Sequence, residues 1–229
     1  MNHVPPQIVL FGGFHNDPGS RREFWRQLRR REALHAAPEF VGVEWNPVLF
    51  AKYDACRKRI ADELLGKWDF LGERECDELS KTFAWEADAY QEVFPSVERV
   101  WLDDGPGREG DSGTAREFAD TLLEDLRVAG EAEGAPVPRS LDELIDQVRL
   151  RQKRRKDRER APPSIDERDL WWFDKIRKRA STLQGGGWVA IVVGWAHANP
   201  KGLPGNLYDQ LNSAEMKVDP IYLGLPHNY

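Results

Sequence analysis

Two histidines each follow a glycine at the end of an apolar segment. Residues 8–15 read Ile-Val-Leu-Phe-Gly-Gly-Phe-His, and residues 189–197 read Val-Ala-Ile-Val-Val-Gly-Trp-Ala-His, so both contain a strand-like run followed by Gly-x-x-His. A run of aliphatic residues closed by glycine is typical of a buried strand that enters a tight turn. In an open parallel α/β sheet, ligands bind at the carboxyl edge of the strands. The pattern therefore predicts that His15 and His197 lie at that edge and share one site.

Two further strand-like segments end in carboxylates. Residues 40–45 read Phe-Val-Gly-Val-Glu-Trp and place Glu44 at the predicted edge, and the following strand-like segment closes with Asp103. Two histidines with a glutamate are a common ligand set for a catalytic divalent ion of the Zn, Mn or Co class. We therefore predict a metal site formed by His15, Glu44 and His197. The alternative is that each histidine is a hydrogen-bonded structural residue.

Two charged residues interrupt apolar stripes that helical periodicity predicts. Glu86 interrupts a stripe between positions 79 and 94, and Arg168 interrupts a second stripe between positions 165 and 183. A charged group on a core-facing side needs an opposite charge or an active-site role. We expect Glu86 or Asp103 to orient water, act as a base or complete a coordination shell, and Arg168 to stabilise an oxyanion or hold a substrate carboxylate. The alternative is a structural ion pair, either between Glu86 and Arg168 or with a strand-end carboxylate.

Long helical patterns separate most of five strand-like segments. This alternation predicts an α/β fold of three layers, with a mostly parallel central sheet, helices on both faces and the site at the carboxyl edge of the strands. With 229 residues and 40% hydrophobic content, the chain can bury one sizeable core, and we predict a single domain over residues 1–229. Residues 149–160 hold eight basic side chains, and the surrounding segment 139–163 is predicted to be a mobile or helical insertion. The predicted strands cover residues 8–13, 40–45, 99–104, 188–194 and 218–223.

Four positions carry the sequence signature of a helix start. In each, a serine or threonine is followed three residues later by glutamate, which is the pattern of a capping box. We therefore predict that helices begin at these positions. The pairs are Ser20/Glu23, Thr114/Glu117, Ser140/Glu143 and Ser164/Glu167.

Composition limits the classes of partner and location. The formal net charge of −6 and the pI near 5.5 argue against a nucleic-acid-binding protein, because phosphate recognition usually needs a basic surface. No apolar stretch reaches the roughly 18–20 residues of a membrane span, and the first residues do not resemble a signal peptide. We therefore expect a cytoplasmic protein with a small-molecule or peptide substrate. Cys56 and Cys76 form neither a CxxC pair nor a disulfide framework, and we expect reduced thiols.

The order of these motifs resembles the TraB/PrgY/TIKI group and its erythromycin-esterase-like and ChaN-like relatives. The resemblance implies an α/β fold with the site at the carboxyl edge of the sheet. In TIKI-type members it implies a metal-dependent peptidase, with His15, Glu44 and His197 as ligands or catalytic groups and Arg168 as an electrophilic partner. Other branches are hydrolases in which a histidine is the general base, or they bind haem or peptides. The residues that carry the likeness are Gly12-x-x-His15, Glu44, Glu86, Asp103, the run Glu167–Trp172 and Gly194-x-x-His197.

The leading hypothesis is a hydrolase that cleaves an amide, peptide or ester bond with water activated by a divalent ion. A second version lacks the metal and uses His15 as general base, with Glu44 orienting its ring. A different class of function is a protein that binds haem or a peptide in the same pocket without turnover. A further alternative is a degenerate member that is kept for protein interaction. The sequence does not identify the substrate or the oligomeric state.

Overall fold

Five strands form one parallel sheet in the computed structural model. They are β1 (Gln7–Gly13), β2 (Val41–Val43), β3 (Arg99–Trp101), β4 (Trp188–Gly194) and β5 (Val218–Tyr222). Their order across the sheet is β3-β2-β4-β1-β5, and each neighbouring pair is parallel. The predicted α/β fold with a parallel central sheet is confirmed. The structure describes residues 6–104, 112–129, 136–158, 167–183, 187–201 and 204–223.

Helices cover both faces of this sheet. Side chains of successive strand residues point to opposite faces, so Val9 and Phe11 belong to one apolar cluster, whereas Leu10 belongs to the other. The first cluster includes Phe24 and Ile60 from helices early in the chain, and the second includes Trp172 and Leu211 from helices later in the chain. The fold therefore has three layers, as predicted. The helices are α1 (Pro18–Glu32), α2 (Pro47–Leu64), α3 (Glu73–Ser80), α4 (Ser112–Ala129), α5 (Leu141–Arg158), α6 (Glu167–Ala180), α7 (Trp195–Ala198) and α8 (Leu207–Ser213).

The sheet order makes the strands that carry the predicted site residues direct neighbours. β4 lies between β1 and β2, with Gly13 of β1 paired to Gly194 of β4 and Val43 of β2 paired to Val192. All three strands are parallel, so their carboxyl ends meet at one edge. Gly12 permits α7 to pack against this edge, because a Cβ added there would lie 2.6 Å from the Cβ of Ala198.

Two of the predicted helix starts are placed wrongly. α1 begins at Pro18, three residues earlier than a cap at Ser20 would give, because Asp17 caps the helix and proline suits its first position. The Asp17 carboxylate accepts from the backbone N–H groups of Gly19 and Ser20 at 3.1 and 2.9 Å. α4 begins at Ser112, so the predicted cap at position 114 lies inside that helix.

The cap at Ser140 is confirmed. α5 begins at the next residue, and the backbone N–H of Glu143 donates to Ser140 Oγ at 3.2 Å. This helix includes the first part of the predicted basic insertion. The predicted cap at Ser164 lies outside the described residues.

The stripe around Glu86 does not belong to one continuous helix, so that prediction is wrong. α3 ends at Ser80, and two short 3-10 helices follow at Trp85–Ala87 and Ala89–Glu92. Ala84 has φ +56°, in the left-handed region, which interrupts any right-handed helix at this position. Glu86 is nevertheless fully buried.

The two cysteines are both free thiols, as expected. Among the helices of the described residues, none combines the length and the apolar character needed to cross a bilayer.

Candidate active site at the carboxyl edge of the sheet

His15 lies in the turn that joins β1 to α1, with 48% of its side chain exposed. Its Nδ1 lies 2.7 Å from Oε1 of Glu86, at hydrogen-bond distance. An ionised carboxylate only accepts hydrogen bonds, so Nδ1 of His15 is the donor. In the neutral ring, Nε2 is then the nitrogen that takes up a proton.

Glu86 reaches His15 from the interior of the protein. Its side chain is fully buried, and within the described part of the chain Oε2 has no hydrogen-bond partner. Burial of the Tyr53 phenol, together with the nearby charge of Glu86, raises the pKa of Tyr53 to about 12. A buried carboxylate depends strongly on the cation or donor that pairs with it. The His15 ring and the Glu86 carboxylate therefore form a dyad, which we call the first dyad.

His197 forms a second dyad with Asp169 of α6. His197 Nδ1 lies 2.7 Å from Asp169 Oδ1, and the side chains are only 14% and 2% exposed. The ring of Trp172, one turn after Asp169, meets the His197 ring edge-on with centroids 4.9 Å apart. The contact with Trp172 and the hydrogen bond to Asp169 fix the orientation of the His197 imidazole.

The charges around His197 favour its protonated form. Burial lowers the pKa of His197, but the hydrogen bond to Asp169 and the negative charges of Glu44 and Asp169 outweigh burial and the opposing charge of Arg168. The net effect is a pKa raised above the ordinary histidine value. His197 thus carries a proton over a wider pH range than an exposed histidine does.

Glu44 lies between the two dyads. Its Oε2 is 3.9 Å from His15 Nε2, and its Oε1 is 3.8 Å from His197 Nε2. The backbone N–H of Gly194 donates to Oε2, and Nη1 of Arg168 lies 3.6 Å from Oε1. Both histidines therefore place Nε2 near the same buried carboxylate, each beside a different oxygen.

The absence of a side chain at Gly194 leaves room where these groups converge. A Cβ built at Gly194 would lie 3.1 Å from His15 Nε2, 3.2 Å from Glu44 Oε2 and 3.5 Å from His197 Cδ2. A side chain here would crowd His15 Nε2 and Glu44 Oε2.

The structure brings five of the six predicted site residues into this constellation. Arg168 faces Glu44, which is the strand-end carboxylate that the ion-pair alternative had named. Asp103 is buried directly beyond β3, and its backbone N–H donates to the carbonyl of Trp45 at 3.3 Å. It therefore lies at the same edge of the sheet, and its part in the chemistry stays a prediction. The five residues that come together are His15, Glu44, Glu86, Arg168 and His197.

Asp169 is a site residue that the sequence reasoning missed. It precedes Trp172 by three positions and Ile176 by seven, so it lies on the buried face of α6. A carboxylate on an apolar helix face is the same signal that identified Arg168. That signal could have identified Asp169 as well.

The residue types of the site are ones that bind divalent ions in proteins. Metal-bound histidines usually donate their other ring nitrogen to a carboxylate, as both histidines do here. However, among the residues that the structure describes, no group of three or more His, Cys, Asp or Glu side chains is arranged to hold a metal. The oxygens of Glu44 already face the Gly194 N–H and the Arg168 guanidinium.

Comparison of the chain with protein-family models, with curated proteins and with solved structures finds no match. The likeness to the TraB/PrgY/TIKI group therefore stays a prediction that rests on the motifs.

Proposed function

We propose that this chain is a hydrolase that cleaves an ester or amide bond, with His15 as the general base. The observation that carries the proposal is the 2.7 Å contact between His15 Nδ1 and the fully buried Glu86. A carboxylate in this position selects the tautomer whose Nε2 accepts a proton and stabilises the imidazolium that forms. The half-exposed ring of His15 gives water and substrate access to that nitrogen.

The reaction starts when His15 Nε2 removes a proton from a water molecule. The water oxygen attacks the carbonyl carbon of the substrate, and the carbonyl π-electrons move onto its oxygen. When the tetrahedral intermediate collapses, the bond to the leaving oxygen or nitrogen breaks. His197, whose pKa is raised above the ordinary histidine value, then donates a proton to the leaving group. His15 then releases the proton it took up, and His197 takes up a proton from solvent, so that both histidines return to their starting states.

Arg168 supplies positive charge on the same side of the site as His197. Its guanidinium lies over the face of Trp172, 5.5 Å from the ring centroid, and beside Glu44 Oε1. A fixed cation near the developing oxyanion stabilises it more in a partly buried site than in water. Arg168 is therefore the residue that we assign to oxyanion stabilisation.

The proposal is tested with a panel of p-nitrophenyl esters of increasing acyl length and of peptide anilides, after treatment with a chelator. Wild-type protein is expected to hydrolyse at least one member, and His15→Ala is expected to lose at least about 100-fold in kcat/KM. His35→Ala is the matched control, because His35 is exposed on the surface. Equal rates for wild type and His15→Ala would contradict the proposal.

A second candidate is a hydrolase that uses a divalent ion at the same place. It is favoured by one observation, namely that both histidines donate Nδ1 to a buried carboxylate. The residues that would hold the ion are His15, His197 and Glu44. When bound, such an ion would polarise the substrate carbonyl and make hydroxide available near neutral pH.

Elemental analysis separates the two candidates. Protein purified without an affinity tag or chelator is compared with the double variant His15→Ala/His197→Ala. A stoichiometric divalent metal that the double variant lacks would establish the metal-dependent version. Full activity of the chelator-treated wild type, with no bound metal, would establish the version in which His15 is the general base.

A further inference from the structure

Three consecutive residues of the His15 turn are tied to the turn that carries Glu86. The two turns come from segments about 70 residues apart, and each contact joins one residue of the first turn to one residue of the second. The middle contact is the first dyad itself. The three hydrogen bonds are Trp85 Nε1 to the Phe14 carbonyl at 3.1 Å, His15 Nδ1 to Glu86 Oε1 at 2.7 Å and Ala84 N to Asn16 Oδ1 at 3.2 Å.

Asn16 and Ala84, which form the third of these bonds, both have left-handed backbones with φ +56°. Asparagine adopts this conformation readily, whereas alanine rarely does. Such a conformation at alanine persists only when the surrounding contacts hold it. The hydrogen bond from Ala84 N to the Asn16 side chain is a contact of this kind, and it lies two residues before Glu86.

The backbone carbonyl of Asn16 has a partner on a third element. Gln152 of α5 is buried, and its Nε2 donates to the Asn16 carbonyl at 3.3 Å. Asn16 thus bonds to α5 through its backbone and to the Glu86 turn through its side chain. Neither contact reaches the space between the two histidines.

We propose that Asn16 is a positioning residue, whose side-chain oxygen holds the Glu86 turn in register with His15 and so keeps the first dyad formed. The effect on turnover rests on the proposed function, whereas the effect on the first dyad does not. Without the Asn16 carboxamide, Ala84 loses an acceptor for its N–H, and the turn that presents Glu86 loses one of its three hydrogen bonds to the His15 turn. The second dyad has no hydrogen bond to Asn16, so it serves as an internal reference.

The test uses proton NMR of the full-length protein. A histidine Nδ1 proton held by a carboxylate gives a downfield, slowly exchanging signal, and the two dyads should give one signal each, assigned with His15→Ala and His197→Ala. Asn16→Gly keeps the left-handed backbone accessible and removes only the side chain. We expect Asn16→Gly to lose the His15 signal and to keep the His197 signal. Retention of both signals would overturn the proposal.

Asn16→Asp keeps an oxygen acceptor for the Ala84 N–H. It is the second variant, which keeps the test decisive if Asn16→Gly does not fold. We expect it to keep both signals, and loss of the His15 signal alone in this variant would also overturn the proposal. If wild-type protein hydrolyses a member of the ester and anilide panel, Asn16→Gly should lower kcat by about tenfold with little change in KM. If it hydrolyses none, the proposed function fails, while the NMR result still decides the role of Asn16.

Discussion

The backbone N–H of Gly194 donates a hydrogen bond to Oε2 of Glu44, and this bond joins the carboxyl end of β4 to the carboxyl end of β2. It orients the carboxylate that lies between the two histidines. Because Gly194 has no side chain, the bond forms without filling the space beside it. The position therefore contributes a hydrogen-bond donor to the site and avoids the crowding that a side chain would cause.

Replacement of Gly194 by alanine should inactivate the protein without unfolding it. The backbone of Gly194 has φ −58°, which alanine adopts without strain. The new methyl group would lie 3.1 Å from His15 Nε2 and 3.2 Å from Glu44 Oε2, so it would crowd the proposed base and the carboxylate beside it. We expect kcat/KM to fall by about 100-fold and the free energy of unfolding to fall by about 1 kcal/mol.

Steady-state kinetics and urea denaturation measure these two effects. Gly72→Ala is a suitable control, because a Cβ there meets only the flexible end of Glu75. Wild-type kinetics in Gly194→Ala would show that the space between the dyads is not where the reaction occurs.

Glu86→Gln keeps the shape of the first dyad and removes its charge. The amide no longer selects the productive tautomer of His15 and does not stabilise the imidazolium that forms during the reaction. We expect kcat to fall by about 10³-fold, while the free energy of unfolding changes by less than about 1 kcal/mol, because the amide oxygen can still accept the hydrogen bond from His15 Nδ1. Activity assays and thermal unfolding on the same preparation give both quantities.

Glu98→Gln is the matched control for the charge change, because Glu98 pairs with Arg179 on the surface. Its kinetics should equal those of the wild type. An active Glu86→Gln protein would mean that the first dyad is structural.

The stability contributed by His197 should depend on pH. Its pKa in the folded protein is raised above 6.5, the ordinary value that applies to the unfolded chain. A group whose pKa is higher in the folded than in the unfolded protein contributes its full stabilisation at pH values below the unfolded pKa. This contribution is lost as the pH rises through the folded pKa. The difference in unfolding free energy between wild type and His197→Asn should therefore be largest near pH 6 and should shrink towards about pH 9.

Urea denaturation at intervals across this range measures the difference. His35→Asn, at an exposed position, should differ from the wild type by a small amount that does not follow this trend. If the difference in unfolding free energy between wild type and His197→Asn grew with pH, burial would lower the pKa of His197 more than Asp169 and Glu44 raise it. His197 would then be neutral in the folded protein.

The strands and their parallel arrangement could be predicted because the apolar runs are continuous and end at glycine or at a carboxylate. The order of the strands could not be predicted. β2 follows β1 in the chain, and no local pattern indicates that β4 lies between them. That insertion is what places Gly194, at the carboxyl end of β4, beside both His15 and Glu44.

The surroundings of Glu86 show a second limit of local patterns. The apolar spacing from 79 to 94 correctly indicated burial, but it could not reveal that Ala84 is left-handed, because alanine has no preference for that conformation. The hydrogen bond between His15 and Glu86 joins residues 71 positions apart. Contacts over such distances depend on the packing of whole elements.

The measurement that tests the central claim most directly is chemical rescue of His15→Ala by imidazole, in chelator-treated protein. Because the His15 ring is half exposed, its removal leaves an opening that free imidazole can enter from solvent. If His15 is the general base, activity lost in the variant should return with added imidazole, in proportion to the concentration of the unprotonated form. Activity that is undiminished in His15→Ala, or that imidazole does not restore at any concentration, would contradict the assignment of His15 as the base.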